Sequence, residues 1–261
     1  RSVELVGPDE GELAEGEWGV GRMAEPAEIF ARAAQLLQPG TLAGRRVLIT
    51  AGGTREPLDA VRFVGNRSSG RMGVALAEEA HRRGADVILL AANLSVGAPH
   101  GIEEIPTPTA ESMLDAALAL PDVDVALLAA AVADYRPVDA LATKRPKDDR
   151  GWAVELEPTV DVARSLGERK RPGQVLVAFG AEEGAKGLAR KREMLDTKNA
   201  DLVVFNDIAR RDIGFDVGEN EVVLVARDGD RTIAKAPKAT IAAAILDEVE
   251  RLLAERASEA R

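Results

Sequence analysis

Apolar residues along this chain keep two rhythms. Short unbroken runs such as Val47-Leu48-Ile49 predict strands buried on both faces, while Met72, Leu76 and Ala80 recur at the spacing of one helix face. From residue 46 the two alternate. A strand and the glycine turn Gly52-Gly53-Thr54 lead through an irregular stretch to a helix, which Ser68 caps and Arg82-Arg83-Gly84 ends. Residues 86–92 predict the next strand, Thr109 caps a helix carrying Met113, Leu114, Ala117 and Leu118, and residues 123–131 are apolar enough for the centre of a sheet. Residues 135–151 carry Lys, Arg and Pro without periodicity, which predicts an exposed flap. Beyond it the pattern gives strands at 152–157, 175–179 and 202–205, with helices at 160–166 and 188–198. A hairpin extension turning at Asp228-Gly229 follows, and Pro237 opens a last helix with Ile241, Ile245, Val249 and Leu252 on one stripe. The alternation predicts a three-layer α/β/α, Rossmann-like mixed sheet.

The first 45 residues read differently. They are rich in Gly and Glu and lack a period, so residues 1–45 are expected to be a mobile arm and linker helix, running from Pro26 to residue 37 and closed by Pro39-Gly40. Residues 46–261 are expected to form the functional domain. No internal repeat is visible.

Composition narrows the chemistry. A net charge of −10 argues against nonspecific nucleic-acid binding, which needs a broad basic surface. The absence of cysteine excludes disulfides and thiolate chemistry, and His81 and His100 are the only imidazoles, which makes a zinc site improbable. No run reaches the roughly 18 apolar residues of a membrane span, and no leader pattern opens the sequence, so the expectation is a cytoplasmic protein without membrane contact.

Residues 46–73 hold the candidate chemistry. A strand, a glycine turn and Ser68-Ser69-Gly70 at a helix start make an anion site, crowded by Arg55, Arg62, Arg67 and Arg71. A dinucleotide site fits poorly: there is no G-x-G-x-x-G, and the second strand ends in Ala91-Ala92-Asn93 without a carboxylate for the ribose. No G-K-[ST] follows the glycines, so a P-loop fails as well. Asn66 reads either as a turn residue or as a carboxamide for a carbonyl or developing oxyanion.

Four blocks in order carry a resemblance: TAGGTREPLDAVRFVGNRSSGRMG at 50–73, AAAVADYRP at 129–137, ATKRPK at 142–147 and VVFND at 203–207. Together they closely resemble phosphopantothenoylcysteine synthetase of coenzyme A biosynthesis, from residue 46 to the C-terminus. The preface, with Gly11-Glu12-Leu13-Ala14-Glu15-Gly16 and Gly21-Arg22-Met23-Ala24-Glu25-Pro26, resembles the end of the decarboxylase fused ahead of that synthetase in bifunctional proteins. The decarboxylase fold itself is not in the sequence, so no decarboxylase activity is expected.

The resemblance implies a CTP-dependent ligation with Mg²⁺. The carboxylate of 4′-phosphopantothenate attacks the α-phosphate of CTP, pyrophosphate leaves, and the amine of L-cysteine displaces CMP from the acyl-cytidylate. It assigns Asn66 to the activated acyl group, with Arg62, Ala130 and Ala131 on the pantothenate side. To the nucleotide it assigns Gly53, Ser68, Ser69, Gly70, Asp134, Val160, Asp161, Val162, Ala163, Phe179 and Lys198, with Lys144 on a flap that closes over the intermediate and shares in catalysis. Arg145 and Lys147 are alternatives to Lys144. The family's companion lysine falls on Met194, so Lys191 is taken as its substitute. The protein's metal ligands stay open, since the Mg²⁺ is held mainly by the CTP phosphates. A homodimer joined through the hairpin is also expected, since projecting strands would otherwise leave open edges. Two other classes stay open at this point, an NAD-type oxidoreductase and a non-catalytic nucleotide-binding module.

Overall fold

The computed structural model describes residues 5–12, 16–37, 40–207 and 219–259. Two short strands, β1 (Asp9–Glu12) and β2 (Trp18–Arg22), and the helix α1 (Pro26–Leu37) precede the main domain. There follow β3 (Arg46–Gly52), β4 (Arg55–Pro57), β5 (Phe63–Gly65), α2 (Arg71–Arg82), β6 (Asp86–Ala92), β7 (Glu103–Pro106) and α3 (Ala110–Ala119). The second half runs β8 (Val125–Leu128), β9 (Tyr135–Pro137), β10 (Leu156–Pro158), α4 (Val162–Glu168), β11 (Val175–Glu182), α5 (Gly184–Arg192) and α6 (Met194–Thr197). Then come β12 (Leu202–Asp207), β13 (Glu219–Ala226), β14 (Gly229–Pro237) and α7 (Lys238–Glu259).

Eight strands form one mixed sheet in the order β14-β13-β12-β11-β8-β3-β6-β7. The strands from β12 to β7 are parallel, and β13 and β14 are antiparallel. Alternation along the apolar runs sorts the core into two layers. Val47, Ile49, Leu127, Val177 and Val204 meet Leu76 of α2 and Ile241, Ile245 and Val249 of α7. Leu48, Ile88, Leu128 and Val203 meet Met113 of α3, Val162 of α4 and Leu195 of α6. The three-layer expectation holds, and so does the stripe on the last helix. Arg83, buried at the end of α2, fastens that helix to α7 by ion pairs to Asp247 and Glu250 and pairs within α2 to Glu79, each at 2.8 Å.

Several local readings change. The preface is not without regular structure, because β1 and β2 pair antiparallel; Leu13, Ala14, Glu15 and Pro39 lie outside the described residues. Ser68 does not cap α2. Gly70 is its N-cap, with φ 79°, a left-handed conformation open to glycine. The strand expected at 123–131 is shorter, since β8 ends at Leu128 where the chain turns along the cleft described below. Of 152–157, only the end enters β10, because its partner β9 is three residues long. The helix expected at 188–198 divides into α5 and α6. The hairpin turns at Asp228-Gly229 but does not project: β13 pairs with β12 and completes the main sheet. Residues 214–218 of the expected hairpin lie outside the described residues.

Candidate functional site

A cleft of about 830 Å³ lies beyond the C-terminal ends of the central strands. It sits where the chain leaves β3 for β6 on one side and later returns through β8 on the other, so neighbouring loops diverge and leave a crevice.

One wall is residues 129–133. The amide of Ala130 donates to Thr50 Oγ1 at 3.1 Å and that of Ala133 to Thr54 Oγ1 at 2.8 Å. Ala131 bridges to the glycine turn, its amide donating to the Gly52 carbonyl at 2.8 Å. Two buried threonines therefore pin the segment. Ala130 and Ala131 face the cleft, and Asn66 joins them through Nδ2, which donates to the Val132 carbonyl at 2.8 Å. A carboxamide nitrogen has a second N–H, so the contact orients Asn66 without using up its donors.

The opposite wall is the start of α2. The first helical bond runs from the Val74 amide to the Gly70 carbonyl at 3.0 Å, so the amides before it have no intrahelical partner. Ser68, Ser69, Gly70, Arg67 and Arg71 line this end. A helix N-terminus beside two guanidinium groups suits an anion.

Across the sheet edge, Asp161 caps α4 by accepting from the Arg164 amide at 3.0 Å and pairs with Lys198. Burial pushes its carboxyl pKa up, but the Lys198 ammonium and the Arg164 amide outweigh burial and hold it below the ordinary value. Val160, Val162, Ala163, Phe179 and exposed Asp134 complete this end. Lys191 lies over Gly180, pairs with Glu182 at 3.4 Å, and has its pKa lowered by burial and by Arg190. Met194 also lines the cleft.

Three expected residues stand elsewhere. Gly53 is not among the lining residues, and a Cβ there would come within 2.6 Å of the Asn66 carbonyl oxygen, so only glycine permits this backbone approach. Arg62 does not line the cleft, because Asp59 engages its guanidinium at 2.7 Å. Lys144 is exposed on the flap and is likewise outside the lining.

Sequence reasoning missed Thr50, Thr54, Asn206, Asn220 and Lys238, all of which but Thr54 line the cleft. Their signal was a polar residue within or beside an apolar strand. Asn93 was weighed only for the carboxylate it lacks. It has φ 50° and donates from Nδ2 to the carbonyls of Gly53 at 3.0 Å and Pro108 at 3.2 Å, so it holds the glycine turn. Among the described residues, Asp9, Glu28 and His100 form a group that could hold a metal ion, and none of them lines the cleft. No helix among the described residues is long and apolar enough to cross a membrane.

A parallel-centred sheet with a cleft at its switch point, one end of it an unpaired helix start beside two guanidinium groups, defines an α/β protein with a switch-point cleft. Residues 42–253 match the family described as DNA/pantothenate metabolism flavoprotein, C-terminal domain, and the chain belongs to that family. It is 41% identical over 95% of its length to the coenzyme A biosynthesis bifunctional protein CoaBC of Bacillus subtilis (strain 168), spanning 62% of that relative. To CoaBC of Mycobacterium tuberculosis (strain ATCC 25618 / H37Rv) it is 38% identical over 97% of its length, spanning 65% of it. The crystal structure of the C-terminal domain of a CoaBC matches with TM-score 0.70 and 36% identity, covering 83% of this chain and 99% of that one.

Proposed function

We propose that the chain is the phosphopantothenate–cysteine ligase of coenzyme A biosynthesis, using CTP through an acyl-cytidylate. The observation that carries the reading is the convergence of the α2 start, Asn66 and Asp134 on one switch-point cleft. The two nearby alternatives are weaker. Asn93, where a dinucleotide site would need a carboxylate, is engaged with two backbone carbonyls, and a module without chemistry would need no acyl-facing carboxamide.

The first step brings a carboxylate to a triphosphate, so negative charge must be offset. The amides at the α2 start that lack an intrahelical partner, with the side chains of Ser68, Ser69 and Arg71, receive phosphate oxygens, and Asp134 receives the ribose hydroxyls. Lys191 and Lys198 serve the phosphates from the far wall; Lys198 must then exchange Asp161 for phosphate. Mg²⁺ carried by the triphosphate would supply further charge neutralisation, and Asp134 is the cleft carboxylate that could face it. Val160, Val162, Ala163 and Phe179 enclose the cytidine, while Ala130, Ala131 and Arg62 take the pantothenate. In the second step Asn66 Nδ2 donates to the acyl carbonyl as the cysteine amine nitrogen bonds to the acyl carbon; the acyl C–O bond breaks, and CMP leaves with its electron pair and takes up the proton the amine gives up. Lys144 closes the flap and excludes water. We further propose a cytoplasmic homodimer, with residues 1–45 the tail of a preceding decarboxylase domain.

The test measures pyrophosphate release with CTP or ATP, with and without phosphopantothenate, followed by amide formation on adding cysteine. Release dependent on phosphopantothenate and faster with CTP is the expected result. Nucleotide binding without release would leave a binding module, and a nicotinamide-dependent absorbance change would favour an oxidoreductase.

A further inference from the structure

The segment between β9 and β10, residues 138–155, which holds most of the flap, is fastened to the turn between β4 and β5, and one buried side chain stands at the centre of the fastening. Asp59 has no exposed side-chain surface. Its Oδ1 accepts from the amides of Val61 and Arg62, both at 2.8 Å, which closes the turn on itself. Its Oδ2 looks outward instead, accepting from Arg62 Nη1 at 2.7 Å and from the Arg145 amide at 3.2 Å, across 86 positions of sequence.

Other contacts follow the same line. Arg62 Nη1 also donates to the Arg145 carbonyl at 3.2 Å, and the Leu141 amide donates to the Leu58 carbonyl at 3.0 Å. The Trp152 ring lies against both guanidinium groups, with centroid distances of 5.5 Å to Arg62 and 4.9 Å to Arg145. Lys144 is one residue from the Arg145 amide, so fixing that amide fixes the base from which Lys144 reaches.

We propose that Asp59 is a positioning residue for the ligation, holding the Arg62 guanidinium and the Lys144 flap in register through the two bonds to its Oδ2. This rests on the proposed ligase reading for what Arg62 and Lys144 do, while the anchoring rests on geometry alone. Its division of labour makes a clean test. In Asp59→Asn the carboxamide oxygen still accepts from Val61 and Arg62 and keeps the turn, but an NH₂ group then faces two donors where Oδ2 stood.

The chain is digested with trypsin, and cleavage after Lys144, Lys147 and Arg150 is timed for the wild type and Asp59→Asn. Loss of a charge-assisted bond should raise that cleavage rate roughly ten-fold. Trp152→Leu, which spares the turn, should move it in the same direction. For the overall ligation, Asp59→Asn should raise the phosphopantothenate KM and lower kcat, and in a Lys144→Ala background its effect on kcat should vanish. Unchanged cleavage in both variants overturns the anchor. An undiminished kcat effect in the Lys144→Ala background overturns action through the flap. A wild type inactive with every nucleotide overturns the ligase reading instead, and the cleavage rates still decide the anchor.

Discussion

Asn66 shows how much a single contact constrains a role. Its Nδ2 is aimed by the Val132 carbonyl, leaving one N–H over the wall formed by Ala130 and Ala131. Asn66→Ala should therefore leave phosphopantothenate-dependent pyrophosphate release nearly intact while slowing amide formation by about 100-fold, the size of losing one oriented donor to a developing oxyanion. Rapid-quench measurement of the two half-reactions checks this, and equal loss in both would remove Asn66 from that role. The Asp161–Lys198 pair belongs to the same scale. Because the Asp161 carboxyl is held below its ordinary 3.8, the folded state binds that proton less readily than the unfolded chain. The pair's contribution is thus complete above 3.8 and lost as pH falls through the lower folded value. Lys198→Met should flatten the acid limb of a denaturation curve measured against pH, and an unchanged limb would show that the pair adds nothing to stability.

Among the elements, α2 depends most on one backbone conformation. Gly70 holds φ 79°, and a Cβ there would come within 2.3 Å of Leu94 Cδ2. Gly70→Ala should lower the denaturant midpoint by an amount equivalent to about 1–3 kcal/mol at constant slope. A wild-type midpoint would mean that the helix start tolerates the strain. Periodicity made this helix visible in the sequence but misplaced its cap, because Ser68-Ser69 satisfies the statistical preference while glycine satisfies the geometry. The apolar strands were legible for a similar reason: burial on both faces leaves no polar alternation to confuse them. The cleft was legible only in part. Thr50 and Thr54 act through the amides of Ala130 and Ala133, some 80 positions away, and no local pattern announces a contact at that range. Gly53, Arg62 and Lys144 were singled out by motif, yet distance from the cleft is a tertiary property.

For the whole molecule, surface chemistry moves the proposed dimer contact away from the terminal hairpin. The outer strand β14 carries Asp230, Arg231 and Lys235, charges that discourage pairing along an open edge. By contrast β9 lies against both β4 and β5, and this region exposes Val61, Phe63, Tyr135, Leu141 and Leu156. An apolar surface of that kind, beside the flap, suits a second copy of the chain. Sedimentation equilibrium at micromolar protein should give twice the chain mass, and Phe63→Asp should shift it toward the monomer. A monomeric wild type would overturn the dimer.

The placement of Trp152 has an optical consequence. The chain has two tryptophans, and the other, Trp18, is 76% exposed on the N-terminal hairpin. With Trp18 replaced by phenylalanine, emission would come from the indole between Arg62 and Arg145 alone. The protein then carries its own dye at the flap, and ligand order can be followed by stopped flow without attaching a label.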